Sequence, residues 1–171
     1  MSTSKELEGI VRDTANQIEA AANGTLYDID CARIVIDDLD AWKQSNWERM
    51  REDFIAAHPG LDTESEAFAD ALADEIGAAC PDDIDDPTQV TLGDLLSEES
   101  LGDVRFEVNQ NGDLFGGKIV VAFGGPNVWV ADDEVRGYWG GDESRRSLST
   151  DASRAVFEWF EEQWACARQG F

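Results

Sequence analysis

The stretch Val104-Arg105-Phe106-Glu107-Val108-Asn109-Gln110-Asn111-Gly112-Asp113 decides the fold. Val104, Phe106 and Val108 alternate with charged neighbours, the two-residue period of a strand that buries one face, and Asn109 to Asp113 carries the Asn-Gly signal of a hairpin. The chain returns as a strand from Lys118 to Phe123 and turns at Gly124-Gly125-Pro126. Two more short strands follow, Asn127 to Ala131 and Val135 to Trp139, joined by the tight acidic turn Asp132-Asp133-Glu134. The pattern predicts a four-stranded antiparallel meander.

Upstream the period is helical. Leu7, Ile10, Val11 and Ile18 predict a helix over 4–22, with Thr3 and Glu6 as a capping box and Gly24 as its stop. Leu26 to Ile36 reads equally as a strand or as the start of a helix. Leu39, Trp42, Trp47, Met50 and Phe54 predict a helix to Ala57, closed by His58-Pro59-Gly60, with His58 as a C-terminal cap. Thr63 and Glu66 form a second capping box before Phe68, Leu72 and Ile76, which share one face of a helix ending near Ala79. Pro81 to Pro87 is an acidic break, and a short helix covers Leu95 and Leu96 within Val90 to Leu101. Downstream, Gly140 to Ser149 reads as a polar connection, and Val156, Phe157, Phe160 and Trp164 mark a last helix from Asp151 to Ala167. The expected architecture is α+β: N-terminal helices, a four-stranded antiparallel β-meander and a closing C-terminal helix. Residues 1–171 read as a single domain, with a mainly helical acidic part over 1–100 and the meander plus helix over 101–171. Trp129, Trp139, Phe160 and Trp164 are expected in its core, since aromatics bury the most area per residue.

Charge is the other informative feature. The 171 residues hold 37 acidic and 13 basic side chains, a formal net charge of -24, yet 42% are hydrophobic, enough for an ordered core. Such a surface repels phosphates and anionic lipid heads, which argues against direct binding of nucleic acid or of a membrane. No basic residue falls between Arg51 and Arg105, where sixteen acidic ones do. Glu66, Asp70 and Asp74 stand four apart on the third helix, a row of like charges opposite its apolar face that lowers helix stability. Stability therefore does not account for them. An arrayed anionic surface imitates a nucleic acid, so the expected partner is a basic nucleic-acid-binding protein or nuclease complex. The expected contact comprises Asp62, Glu64, Glu66, Asp70, Asp74, Glu75, Asp82, Asp83, Asp85, Asp86, Glu98, Glu99 and Asp103, helped by Asp132, Asp133 and Glu134. An alternative is the solvated acidic surface of a halophile protein, which needs no partner. Another is docking through Trp42 and Trp47.

In size, charge and ordered core the chain resembles the phage- and plasmid-borne acidic DNA-mimic proteins that disable restriction enzymes or CRISPR effectors. That resemblance implies an inhibitor without enzymatic activity, acting in the host cytosol by blocking DNA access. The segment from Phe123-Gly124-Gly125-Pro126 to Gly137-Tyr138-Trp139-Gly140 also resembles a sheet of small mobile-element proteins.

Other chemistry finds little support. Cys31, Cys80 and Cys166 are scattered, with His58 the single histidine, so they are expected as free, partly buried thiols rather than zinc ligands or nucleophiles. No cofactor is expected. Calcium would have to use Asp82-Asp83-Ile84-Asp85-Asp86, or Asn109, Asn111 and Asp113, but the latter run has Leu114 where an EF-hand needs glycine and Val120 at its twelfth position. Gly140-Gly141-Asp142-Glu143 matches four residues of a cyclic-dinucleotide synthase signature, in a chain short for that domain. The N-terminus lacks a basic run followed by an apolar one, the mark of a secretory signal, so a cytoplasmic location is expected.

Overall fold

A computed structural model describes residues 3–29, 32–99, 103–122 and 125–169, with the side chains of Glu98 and Glu99 outside the description. Cys31, Leu101, Phe123 and Gly124, to which the sequence reading gave places, lie outside the described residues. The chain divides into two compact units, one formed by Met1–Val35 with Gln89–Phe171 and the other by Ile36–Thr88.

In the larger unit, α1 (Thr3–Ala22) is followed by the hairpin β1 (Leu26–Ile29) and β2 (Ala32–Val35), which settles the ambiguous stretch as strands. A two-residue strand β3 (Thr88–Gln89) completes a small sheet of order β2-β1-β3. Then come α4 (Leu92–Glu99), where Thr91 and Asp94 cap one another, and β4 (Val104–Val108). Next are β5 (Leu114–Ala122), β6 (Asn127–Ala131), β7 (Glu134–Trp139), β8 (Asp142–Ser147) and α5 (Thr150–Gln169). The main sheet has five antiparallel strands in sequential order, not four. The added strand is Asp142–Ser147, read from sequence as a polar connection. It carries no apolar alternation because it is an edge strand. It is closed onto β7 by Gly140 and Gly141, both at positive φ (59° and 97°), the conformation that a two-residue hairpin needs.

One sheet face is covered by helices. Ile119, Val128, Val130 and Val135 pack with Leu7, Val11, Ala15 and Ile18 of α1, Leu95 and Leu96 of α4, and Val156, Trp159 and Phe160 of α5. Ser149 caps α5 by accepting from the Ala152 N–H at 3.2 Å, and Glu19 of α1 accepts from the Ser149 hydroxyl at 2.6 Å. The Thr3 hydroxyl does not cap α1; it lies in the helix and donates to Asp142 at 3.1 Å.

The smaller unit holds α2 (Leu39–Ala57), α3 (Glu66–Ile76) and a 3-10 turn over Pro81–Asp83. Phe54, Phe68 and Leu72 form its core. Asp38 caps α2, accepting from the Ala41 N–H. His58 closes it as expected, its backbone N–H reaching the Phe54 carbonyl and its ring stacked on Phe54. The cap of α3 is Ser65, whose hydroxyl accepts from the Phe68 N–H at 3.1 Å, rather than Thr63. Gly77, left-handed at φ 70°, ends it three residues before the Ala79 boundary read from sequence was reached.

Candidate functional site

In the smaller unit the acidic row is laid out as its spacing requires. Phe68 and Leu72 are buried on one face of α3, and Glu66, Asp70, Asp74 and Glu75 are exposed. Asp62, Glu64, Asp82 and Asp85 are exposed as well. Glu66, Asp70 and Asp74 make no ion pair or side-chain hydrogen bond among the described residues. Glu75 faces the His58 ring nitrogen at 3.6 Å.

The three cations of this unit are engaged internally. Lys43, its side chain 15% exposed, meets Asp86 at 2.5 Å, and that bond raises its pKa above the ordinary ammonium value. Arg51 lies over the rings of Trp47 and Phe68 at 5.9 and 5.5 Å, and Arg49 donates to Asn46. Arg49 is exposed and its partner is a neutral amide, so the unit presents outward a large excess of carboxylate with few cations among it. Two residues of the expected contact are committed elsewhere. Asp86 holds Lys43, and Asp83 accepts from the Cys80 and Ala79 N–H groups at 2.9 and 3.0 Å. Bonds from the Cys80 thiol and those two N–H groups hold the Asp83 carboxyl below its usual pKa.

The rest of the expected contact belongs to the larger unit. Glu98 and Glu99 close α4. Asp103 is held by Arg105 at 2.8 Å, which lowers its pKa, and Glu134 pairs with Arg136. Asp132 and Asp133 form the turn between β6 and β7.

The sequence reading missed the outer face of the main sheet. Trp129 does not join the buried core; it lies on this face, directly opposite Val120 on β5 and Arg136 on β7. Arg105 and Lys118 stand over its ring, each 5.4 Å from the centroid, so two cations gather on an aromatic in an otherwise acidic chain. An open groove of about 610 Å³ runs here past Lys118, Trp129, Arg136 and Tyr138. Glu107 and Asp132 lean over Gly116 from either side, and a Cβ there would lie 3.4 Å from an oxygen of each. The strand period was the available signal, because Arg105, Lys118 and Trp129 occupy positions alternate to Val104, Ile119, Val128 and Val130, which face the helices.

Among the described residues no group of three or more His, Cys, Asp or Glu is placed to hold a metal. Asn109 is spent on its hairpin, its side-chain carbonyl accepting from the Asn111 and Asp113 N–H groups at 2.9 Å. Cys80 is half-buried and Cys166 is exposed rather than partly buried, and both are free. No described helix is long and apolar enough to cross a membrane. No family model, curated protein or solved structure matches the chain.

Proposed function

We propose that this protein is an acidic inhibitor that occupies the nucleic-acid-binding surface of a nuclease or other DNA-binding protein in place of DNA. It needs no catalytic group and no cofactor. The observation that carries this reading is the division of charge in the smaller unit. Lys43 is spent on Asp86 and Arg51 lies over Trp47 and Phe68, while Glu66, Asp70 and Asp74 are exposed and unpaired among the described residues.

On a rigid helix these carboxylates recur about every 6 Å. A basic groove evolved for phosphates is attracted to such an array through its charge alone, whatever the atomic detail. Sixteen of the 37 acidic residues fall within 36–88, which supports a directed contact over a uniformly solvated surface. The contact is centred on α3 with Asp62, Glu64, Glu75, Asp82 and Asp85, all within the smaller unit.

The test is capture from lysates of cells that carry restriction and CRISPR systems. Wild type and the Glu66→Lys, Asp70→Lys, Asp74→Lys triple variant are compared at low and high salt. The expected result is a nuclease complex held by wild type alone, released by salt and displaced by DNA. Equal capture by the triple variant, or capture insensitive to salt and to DNA, overturns the reading.

A further inference from the structure

A second charged feature has the opposite sign. α1 lies over β7 and β8 because Gly137 leaves room for it; a Cβ there would come within 2.7 Å of Leu7 Cδ1 and Val11 Cγ2. This packing opens a groove of about 510 Å³ between α1 and β8. Lys5, Arg12, Arg145 and Arg146 line it, against the single carboxylate of Glu8. Arg145, opposite Arg136 on β7, turns its side chain to the outer sheet face and pairs with Glu143, so Lys5, Arg12 and Arg146 are the cations that converge on this groove in a protein with net charge -24.

Arg12 is paired with its neighbour Asp13 at 3.0 Å and Arg145 with Glu143 at 3.3 Å. The side chains of Lys5 and Arg146 make no ion pair or hydrogen bond among the described residues. In a chain with nearly three acids for every base, two cations without carboxylate partners, beside a third in Arg12, are left with positive potential to spend on a ligand.

We propose that this groove binds a short polyphosphate chain, free or carried on a nucleoside. Lys5 and Arg12 are two helical turns apart, about 10 Å along α1. One tetrahedral oxyanion reaches either of them, whereas a chain of linked phosphates spans both and meets Arg146 from the strand side. Arginine forks and a lysine ammonium both suit phosphate oxygens. Shortness follows from the surrounding field, because a nucleic-acid strand leaving the groove runs onto acidic surface and is repelled, while a chain of two or three phosphates ends before it. The groove lies within the larger unit, so the proposal stands apart from the mimicry reading.

Calorimetric titration at low salt with inorganic tripolyphosphate, orthophosphate, a nucleoside triphosphate and a single-stranded oligonucleotide tests it. The expected result is one saturable site for tripolyphosphate, at least about tenfold tighter than for orthophosphate. Lys5→Glu and Arg146→Glu should each weaken it by about tenfold or more, while Arg154→Glu, outside the groove, leaves it unchanged. A nucleoside triphosphate tighter than tripolyphosphate identifies a nucleotide as the ligand; equal affinities identify the phosphate chain alone. Thermal melts establish that each variant is folded, and if one is not, the other decides. Absence of saturable binding, indifference to both charge reversals, or tighter binding of the oligonucleotide overturns the proposal.

Discussion

Phe160 on α5 sits against Gly117 on β5 so closely that a Cβ on the glycine would fall 2.6 Å from the ring Cγ. Phe160 is fully buried, so the distance between helix and sheet is set by a side chain that Gly117 does not have. The glycine is needed there for room and not for its backbone conformation, since its φ is not positive.

Gly117→Ala should therefore destabilise the larger unit by about 1–3 kcal/mol through overpacking. Phe160→Ala should cost about 3–5 kcal/mol through the cavity it leaves. In the double variant the added methyl occupies part of that cavity, so the two costs should sum to more than the double variant shows. Chemical denaturation of the four proteins measures the coupling, and simple additivity would mean that the two residues do not limit one another.

Asp70 stands between Glu66 and Asp74 on the exposed face of α3. Asp70→Lys replaces two like-charge neighbours with two opposite ones and should stabilise the helix by about 0.5–1 kcal/mol at low salt. The same substitution should weaken capture of a basic target. Added salt should raise the wild-type melting temperature more than that of the variant, since screening relieves only repulsion that is present. Melts at two salt concentrations check both statements.

Asp83 ties the 3-10 turn to Ala79 and Cys80, and its pKa lies below the usual value, the Cys80 thiol being the largest cause and the two backbone N–H groups next. A carboxyl lowered in the folded state contributes stability that is fully present above its unfolded pKa, about 3.9, and is lost as the pH falls through the folded value. Asp83→Asn should thus lower the melting temperature by a constant amount from pH 7 to about 5, and the difference should close below about pH 4 as the wild-type carboxyl protonates. A difference that persists unchanged at pH 3 would show that the charge is not what matters.

The Trp164 indole packs on Phe106 with ring centroids 5.2 Å apart, and its buried N–H finds no acceptor among the described residues. Trp164→Phe keeps the ring contact and removes the unpaired donor, so its stability should stay within about 1 kcal/mol of wild type. Trp164→Ala should cost about 2–3 kcal/mol, because the ring contact goes as well. Equilibrium unfolding of the two variants separates the donor from the packing.

The helices were legible because a helix writes its period into residues three and four apart. Leu39–Ala57 emerged with both ends correct, and Phe68 and Leu72 fell on the buried face of α3 with Glu66, Asp70 and Asp74 opposite. The edge strand Asp142–Ser147 was not legible, since a strand at the rim of a sheet has few buried positions with which to show alternation. Trp129 was misread for a related reason. Its sequence neighbours Val128 and Val130 are buried, and composition alone does not tell which face of the sheet the helices cover.

By itself the sequence determined the local elements, the helical acidic row and the excess of negative charge, all of them properties of residues near one another in the chain. Tertiary structure decided which charges meet. Lys43 is consumed by Asp86, Arg105 and Lys118 gather over Trp129, and Lys5 and Arg146 come together from opposite ends of the chain. The physical reason is that secondary structure follows short-range periodicity, whereas the convergence of charges depends on how helices and strands pack. Here that packing is set by the space left at Gly117 and Gly137, where a ring and two aliphatic side chains bring α5 and α1 onto the sheet.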